Sequence, residues 1–344
     1  MANFPWHYRA YGLHLSSDFE LPELTPLSPA PGVLPAPDIW IERGETITPA
    51  TLERAAQENT ALEFGARRSR LLFQVARFTI SEGRRVTVEP MEGQDAASWR
   101  VALLGSVMAV LLEQRDLFVL HAGALAFDAG AAAFLGDKGQ GKSTLNAALS
   151  GAGYPLLSDD VVGLEMPRSA PSGVAAAGSA AAAGAFGLPL VWPGFSQIKL
   201  SPESLRAATG ENPDEWPAVA PDFADFDKRS FRAPLAPDPL PLRALFVLHW
   251  ASETEVAQDD GGLWARRLGA PQALTQIIPH TFGARFGPGY LQGERRKTHF
   301  LDCAQVVNRC AVWRLSRPRD LSLLPATVEL IARIMAEPDA ARAS

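Results

Sequence analysis

Eight consecutive residues, Gly136-Asp137-Lys138-Gly139-Gln140-Gly141-Lys142-Ser143, fit the pattern G-x-x-x-x-G-K-[ST] in full, and Thr144 follows. Glycines let a backbone turn where a Cβ would clash, so consecutive N–H groups can point at phosphate oxygens at the start of a helix. Lys142 adds a point charge for the outer phosphates, and Ser143 adds a hydroxyl ligand for magnesium. A little further on, Leu156-Leu157-Ser158-Asp159-Asp160 ends in two adjacent acids. Phosphoryl transfer needs one carboxylate to hold the metal and one to take the proton of the attacking hydroxyl. The expectation gives Asp159 the role of base and places Asp160, with Ser143, on the magnesium side. Two acids that merely cap a turn, or that order magnesium for hydrolysis, are the competing explanation.

These residues need elements to hold them. An apolar strand over 131–135 leads into the glycine loop, and a helix-forming run over 143–149 leaves it. A strand over 154–158 carries the acids to its end, where parallel α/β sheets place their ligands. Residues 116–121 begin a further strand, and a strongly apolar strand covers 244–250. Helices are expected over 272–286, 301–309 and 323–336, with a strand over 311–315. Before residue 116 the chain reads as short strands over 8–15, 38–42, 71–75, 78–80 and 85–89, closed by an amphipathic helix over 96–114. The fold expected is therefore α/β: a small β-rich domain over residues 1–115 and a phosphate-loop kinase domain over 116–344. The Ala/Gly/Ser-rich stretch 167–187 is expected to be a mobile loop or an insertion.

The acids end the strand directly after the loop's helix, an order that suits a kinase rather than a motor or transporter ATPase. Asp160-Val161-Val162-Gly163 matches a GTPase D-x-x-G, yet no Asn-Lys-x-Asp accompanies it. With 32 Lys and Arg against 38 Asp and Glu, the net charge of −6 leaves no general footprint for nucleic acid. No apolar run is expected to reach bilayer length, the start does not read as a signal peptide, and Cys303 and Cys310 lack zinc-site spacing. A cytoplasmic protein without membrane or nucleic-acid partners is expected, its oligomeric state open. Lys199, Lys228 and Arg229 are candidate cations for a transferred phosphate. Glu294-Arg295-Arg296-Lys297 reads as a solvated loop, and Trp192, Trp250 and Trp313 as core.

The runs His121-Ala-Gly-Ala-Leu-Ala-Phe, Phe134 to Thr144 and Leu156 to Asp160 resemble the catalytic domain of the HPr kinase/phosphorylase family, which is related in fold to ATP-dependent phosphoenolpyruvate carboxykinases. The resemblance implies ATP and Mg2+ as cofactors and a serine hydroxyl as acceptor. It implies that His121 lies beside the acceptor, that Asp159 is the general base and that Asp160 helps to bind magnesium, with Lys142 also in the catalytic set. The glycine- and arginine-rich signature of HPr kinases is replaced here by the Ala/Gly/Ser run. The amino-terminal half, with Tyr11-Gly-Leu-His-Leu-Ser-Ser-Asp18 and Leu21-Pro-Glu-Leu24, is more similar to HPr-kinase-like proteins of lasso-peptide maturation clusters. That implies a peptide or protein substrate bearing a serine, such as the terminal serine of a lasso-peptide precursor. HPr itself, or a nucleotide-binding scaffold or sensor with little kinase activity, are the alternatives.

Overall fold

The computed structural model describes residues 4–27, 36–46, 62–65, 67–167, 187–223, 226–258 and 262–337. The Ala/Gly/Ser-rich stretch lies outside them except for its ends, Pro167 and Gly187. The chain is a mixed α/β protein with two large sheets. Strands β1 (Trp6–Ala10), β2 (Leu13–Ser17), β3 (Thr25–Pro26), β4 (Ile39–Arg43), β5 (Leu62–Phe64), β6 (Arg68–Leu72), β7 (Ala76–Ser81) and β8 (Arg85–Pro90) form an eight-stranded sheet in the order β3-β1-β2-β4-β8-β7-β6-β5. The single strand expected over 8–15 is instead the β1–β2 hairpin. Tyr11 and Gly12 turn it with φ of 53° and 72°, and a two-residue turn with both residues at positive φ matches the natural twist of the strands.

Helix α1 (Ala96–Glu113) packs on this sheet. The Asp95 side chain caps it by accepting from the Ala97 N–H. Its middle turn, Leu103–Val107, is π-helical, a local widening that recurs at functional sites. The helix corrects one expectation, because its 18 residues at mean hydropathy 1.4 do have the length and composition of a membrane span. In the fold its apolar side is spent on protein: Leu103, Leu104, Val107, Met108 and Leu111 are buried with Ile39, Phe78 and Val88 of the sheet.

Glu113, at the end of α1, accepts a hydrogen bond from the Tyr290 hydroxyl. Burial pushes its carboxyl up to about 7 against the opposing pull of that bond and of Arg295. The folded chain therefore keeps a proton that the unfolded chain loses above pH 4.5, and stability should fall as pH rises from there towards 7. The loss should reach on the order of 3 kcal/mol by pH 8. Glu113→Gln should flatten that slope and be the more stable protein at pH 8 in denaturant titrations. Parallel profiles for the two proteins would contradict the assignment.

The second sheet begins with β9 (Phe118–Leu120), β10 (Gly123–Phe127) and β11 (Gly130–Leu135), after which α2 (Lys142–Gly151) follows the glycine loop. Strands β12 (Leu156–Ser158), β13 (Val162–Glu165) and β14 (Leu190–Val191) come next; β15 (Gln197–Leu200), α3 (Pro202–Thr209) and β16 (Arg229–Arg232) follow in the chain, with β15 and β16 paired to each other outside this sheet. Strand β17 (Leu240–Trp250), α4 (Glu253–Gln258), β18 (Trp264–Arg267), α5 (Ala270–Ile277), α6 (Phe282–Arg285), α7 (Gly293–Arg309), β19 (Ala311–Arg317) and α8 (Leu324–Ala336) complete it. Across the centre the order is β12-β10-β11-β17-β19-β18, with β11, β17 and β19 mutually parallel. Strand β10 runs antiparallel to both β11 and β12, so β12 points the same way as β11. The loop after β11 and the acids after β12 therefore emerge from one edge.

Strand β11 is buried on both faces, as a central parallel strand should be. Ala131, Ala133 and Leu135 meet Ala273, Ile277 and Val306 of α5 and α7, whereas Ala132 and Phe134 meet Leu145, Leu149 and Ile331 of α2 and α8. The helix expected over 272–286 is broken at Pro279, which lies in a 3-10 turn over Ile278–His280; proline lacks the N–H and clashes with the preceding turn. The basic run Glu294 to Lys297, expected in a loop, is the first turn of α7.

Candidate active site

The glycine loop leaves β11 and enters α2 with Gly139 and Gly141 at φ of 86° and 70°, a region that side chains with a Cβ rarely adopt. The loop is internally braced. Gln140 Oε1 accepts from the Asp137 N–H, Trp250 Nε1 donates to the Gly139 carbonyl at 3.2 Å, and Arg317 donates to the Gln140 carbonyl. A Cβ on Gly136 would fall 2.6 Å from Gln140 Oε1, so a side chain there would displace the Gln140 brace. Lys142 is buried, and its Nζ donates to the carbonyls of Gly136 at 2.6 Å and Asp137 at 3.3 Å. Burial holds its ammonium below the usual lysine range, while Asp160 and Asp159 pull the other way. Lys138 lies on the loop, and Thr144 bonds to Ser204 of α3 at 3.1 Å.

The two acids take different surroundings. Asp159 is only 2% exposed. It accepts from Ser143 Oγ at 3.1 Å and from Asn146 Nδ2 at 2.7 Å, so two residues one turn apart on α2 grip it. Asn146 fits only because residue 123 is glycine, since a Cβ there would lie 1.7 Å from its Nδ2. Burial pushes the Asp159 carboxyl up to about 6, with the neighbouring Asp160 charge adding to it. Asp160 is a non-glycine residue at φ 69°, a conformation that carries strain and concentrates at functional sites. Its carboxylate faces a large cavity and pairs with Lys199 Nζ at 2.5 Å. Burial works against its ionisation, yet Lys199, His121 and Lys228 hold it well below the usual carboxylate range.

Ser143, expected on the magnesium side with Asp160, donates a hydrogen bond to Asp159 and lines the same cavity as Asp160, whose backbone makes a left-handed turn. That turn is pinned from several sides. Ser158 Oγ donates to the Val161 carbonyl at 2.6 Å, and the Tyr11 hydroxyl, at the tip of the β1–β2 hairpin, donates to it at 3.0 Å. His121 Nδ1–H donates to the Asp160 carbonyl at 3.2 Å, and its ring lies edge-on to Phe282. Burial pushes His121 down to about 3, which keeps the imidazole neutral.

The cavity that Asp160 faces measures about 930 Å³. The loop, Lys142, Ser143, Asp160, His121 and Lys199 form one wall, and Lys228 and Arg285 add cations. Phe73 and Val75, from the turn between β6 and β7, with Val101, Gly105 and Ser106 of α1, form another. Arg229 instead pairs with Asp227. Sequence reasoning missed Tyr11, Asn146 and Arg285. Only Asn146 carried a local signal, its i+3 spacing from Ser143 on the helix that leaves the loop.

Among the described residues, no group of three or more His, Cys, Asp or Glu side chains could hold a metal by itself. Magnesium fits this site differently, because it is commonly bound through one or two carboxylates together with substrate phosphates. Asp159 with Ser143, beside a braced amide loop, is such a donor set.

No protein-family model matches the chain, and no curated protein matches it. Among solved structures, the Hpr(Ser) kinase/phosphatase from Coxiella burnetii is similar at 12% sequence identity over 63% of this chain and 95% of that chain, with a TM-score of 0.29. A likeness at that level carries no weight for mechanism, which rests on the residues of the site.

Proposed function

We propose that this chain is a magnesium-dependent kinase that transfers the γ-phosphoryl group of ATP to a serine hydroxyl of a peptide or protein. The observation that carries this reading is the placement of the phosphate loop, Lys142 and an accessible carboxylate, Asp160, on the wall of one cavity of about 930 Å³. When bound, magnesium and ATP supply the transferable group and the neutralisation of its charge. Ser143 and Asp159 are the groups that would hold the metal side, and the loop amides with Lys142 would hold the phosphates.

Two considerations point to different bases. Basicity favours Asp159, whose carboxyl is pushed up to about 6; access favours Asp160, whose side chain is 24% exposed to the cavity. Access decides, because phosphoryl transfer passes through a loose transition state in which the acceptor must be oriented more than deprotonated. Asp160 therefore accepts the hydroxyl proton. Lys199 keeps it ionised and in place, and neutral His121 fixes its backbone. The cations Lys228 and Arg285 face the charge that develops on transfer.

The apolar wall of Phe73, Val75 and Val101 is surface against which a peptide segment would pack. A cytoplasmic setting, and the terminal serine of a lasso-peptide precursor as acceptor, are the finer form of this proposal; they draw on the sequence resemblance. Incubation with ATP, magnesium and a serine-ended precursor peptide, followed by intact-mass spectrometry, should show one phosphate adduct that a Ser→Ala peptide lacks. Nucleotide binding without any adduct on peptide or protein would favour a scaffold or sensor instead.

A further inference from the structure

Asp160 is the central residue of a γ-turn. The Val161 N–H donates back to the Asp159 carbonyl at 2.9 Å, and Asp160 between them has φ of 69°. A three-residue turn of that hand is rare and strained, and such backbone persists only where the surrounding structure over-determines it. Relaxation toward the extended or right-handed regions would re-aim the Asp160 side chain. Three side chains hold the turn against it. Ser158, whose hydroxyl donates to the Val161 carbonyl, ends the strand that enters the turn. His121, which donates to the Asp160 carbonyl, follows β9, and β9 pairs with the strand that leaves the turn. Both belong to the sheet they secure. Tyr11 comes instead from the first sheet, 150 residues away in the chain, and its hydroxyl gives the Val161 carbonyl a second donor.

The tip of the β1–β2 hairpin is built into the second sheet. Tyr11 is 2% exposed, its own backbone has φ of 53°, and its N–H donates to the Pro193 carbonyl at 2.7 Å. Trp192, expected in the core as were Trp250 and Trp313 and like them only half-buried, covers the tip, since a Cβ on Gly12 would lie 2.4 Å from its ring. Gly194 leaves room for the contact itself. A Cβ there would fall 2.8 Å from the Tyr11 hydroxyl and 2.7 Å from Ser158 Oγ. Burial pushes the Tyr11 phenol up, so the hydroxyl keeps its proton and stays a donor.

We infer that Tyr11 is a positioning residue for phosphoryl transfer: the hairpin tip of the first sheet holds the Val161 carbonyl, and through it the strained turn that aims Asp160 into the large cavity. The first sheet is then part of the catalytic apparatus and not a detached recruiting module. The inference rests on the kinase reading and on Asp160 as its base. With the full chain, magnesium-ATP and the serine peptide, Tyr11→Phe should lower kcat by about three- to tenfold, the worth of one buried hydrogen bond. The KM for magnesium-ATP should stay within about twofold, because the phosphate loop is untouched. Rates are counted per chain that binds magnesium-ATP, so a variant that folds poorly still yields its kcat. A residue that only stabilised the fold would lower the unfolding midpoint and leave that kcat alone. Adding Ser158→Ala to Tyr11→Phe takes both of these donors from the Val161 carbonyl. The double variant should lose more than the product of the two single losses, since the second removal leaves a buried acceptor unpaired. A kcat for Tyr11→Phe within twofold of the unaltered chain, a loss carried by the KM for magnesium-ATP, or single losses that simply multiply would overturn the positioning role and leave the kinase standing. No transfer by the unaltered chain, or transfer undiminished in Asp160→Asn, would remove the reading beneath it as well.

Discussion

Asp160→Asn should lower phosphoryl transfer to serine by about 10²- to 10⁴-fold, the usual contribution of a positioned general base, while magnesium-nucleotide affinity stays within a few-fold. Asp159→Asn should do the reverse at the binding step. It removes the carboxylate that Ser143 and Asn146 hold, so the part of nucleotide affinity that depends on magnesium should fall. Asp160→Asn also strands the Lys199 ammonium, and an unpaired buried charge destabilises on its own account. Pairing Asp160→Asn with Lys199→Met separates the two effects, because it should recover stability in denaturant titrations without recovering transfer. A transfer rate that survives Asp160→Asn but is lost in Asp159→Asn, with nucleotide affinity unchanged, would return the base role to Asp159.

Lys142→Ala should weaken ATP binding and cut transfer by about 10²- to 10³-fold, the range for removing one fixed donor aimed at developing charge. The loss should be greater for ATP than for ADP in parallel titrations, because the lysine serves the outer phosphates. The loop itself should survive, since Gln140, Trp250 and Arg317 also brace it. An equal loss for both nucleotides would place Lys142 elsewhere along the phosphate chain.

What the sequence showed of this site follows from which parts of it are local. A phosphate loop must be built from adjacent residues, so Gly136 to Thr144 carry their geometry in their order, as does the strand-to-helix context around them. The acid pair was legible for the same reason. The different surroundings of its two members were not, because they depend on the left-handed turn at Asp160 and on a serine and an asparagine from another element. A run rich in aromatic and aliphatic residues continued through Tyr11 and Gly12, so a hairpin looked like one strand, and the tyrosine at its tip gave no sign that it would reach the Val161 carbonyl. The apolar period of 272–286 likewise outweighed Pro279. The wall that Phe73, Val101 and Gly105 give to the large cavity is tertiary throughout, and no spacing in the chain announces it.

Titration of the folded protein with magnesium-ATP by calorimetry tests the central claim most directly, since every step above begins with a triphosphate on the loop between Lys142 and Ser143. One saturable site, weakened by Lys142→Ala and dependent on magnesium through Asp159, is the expected result. Absence of heat and of any magnesium-dependent uptake by a protein that unfolds cooperatively would contradict it.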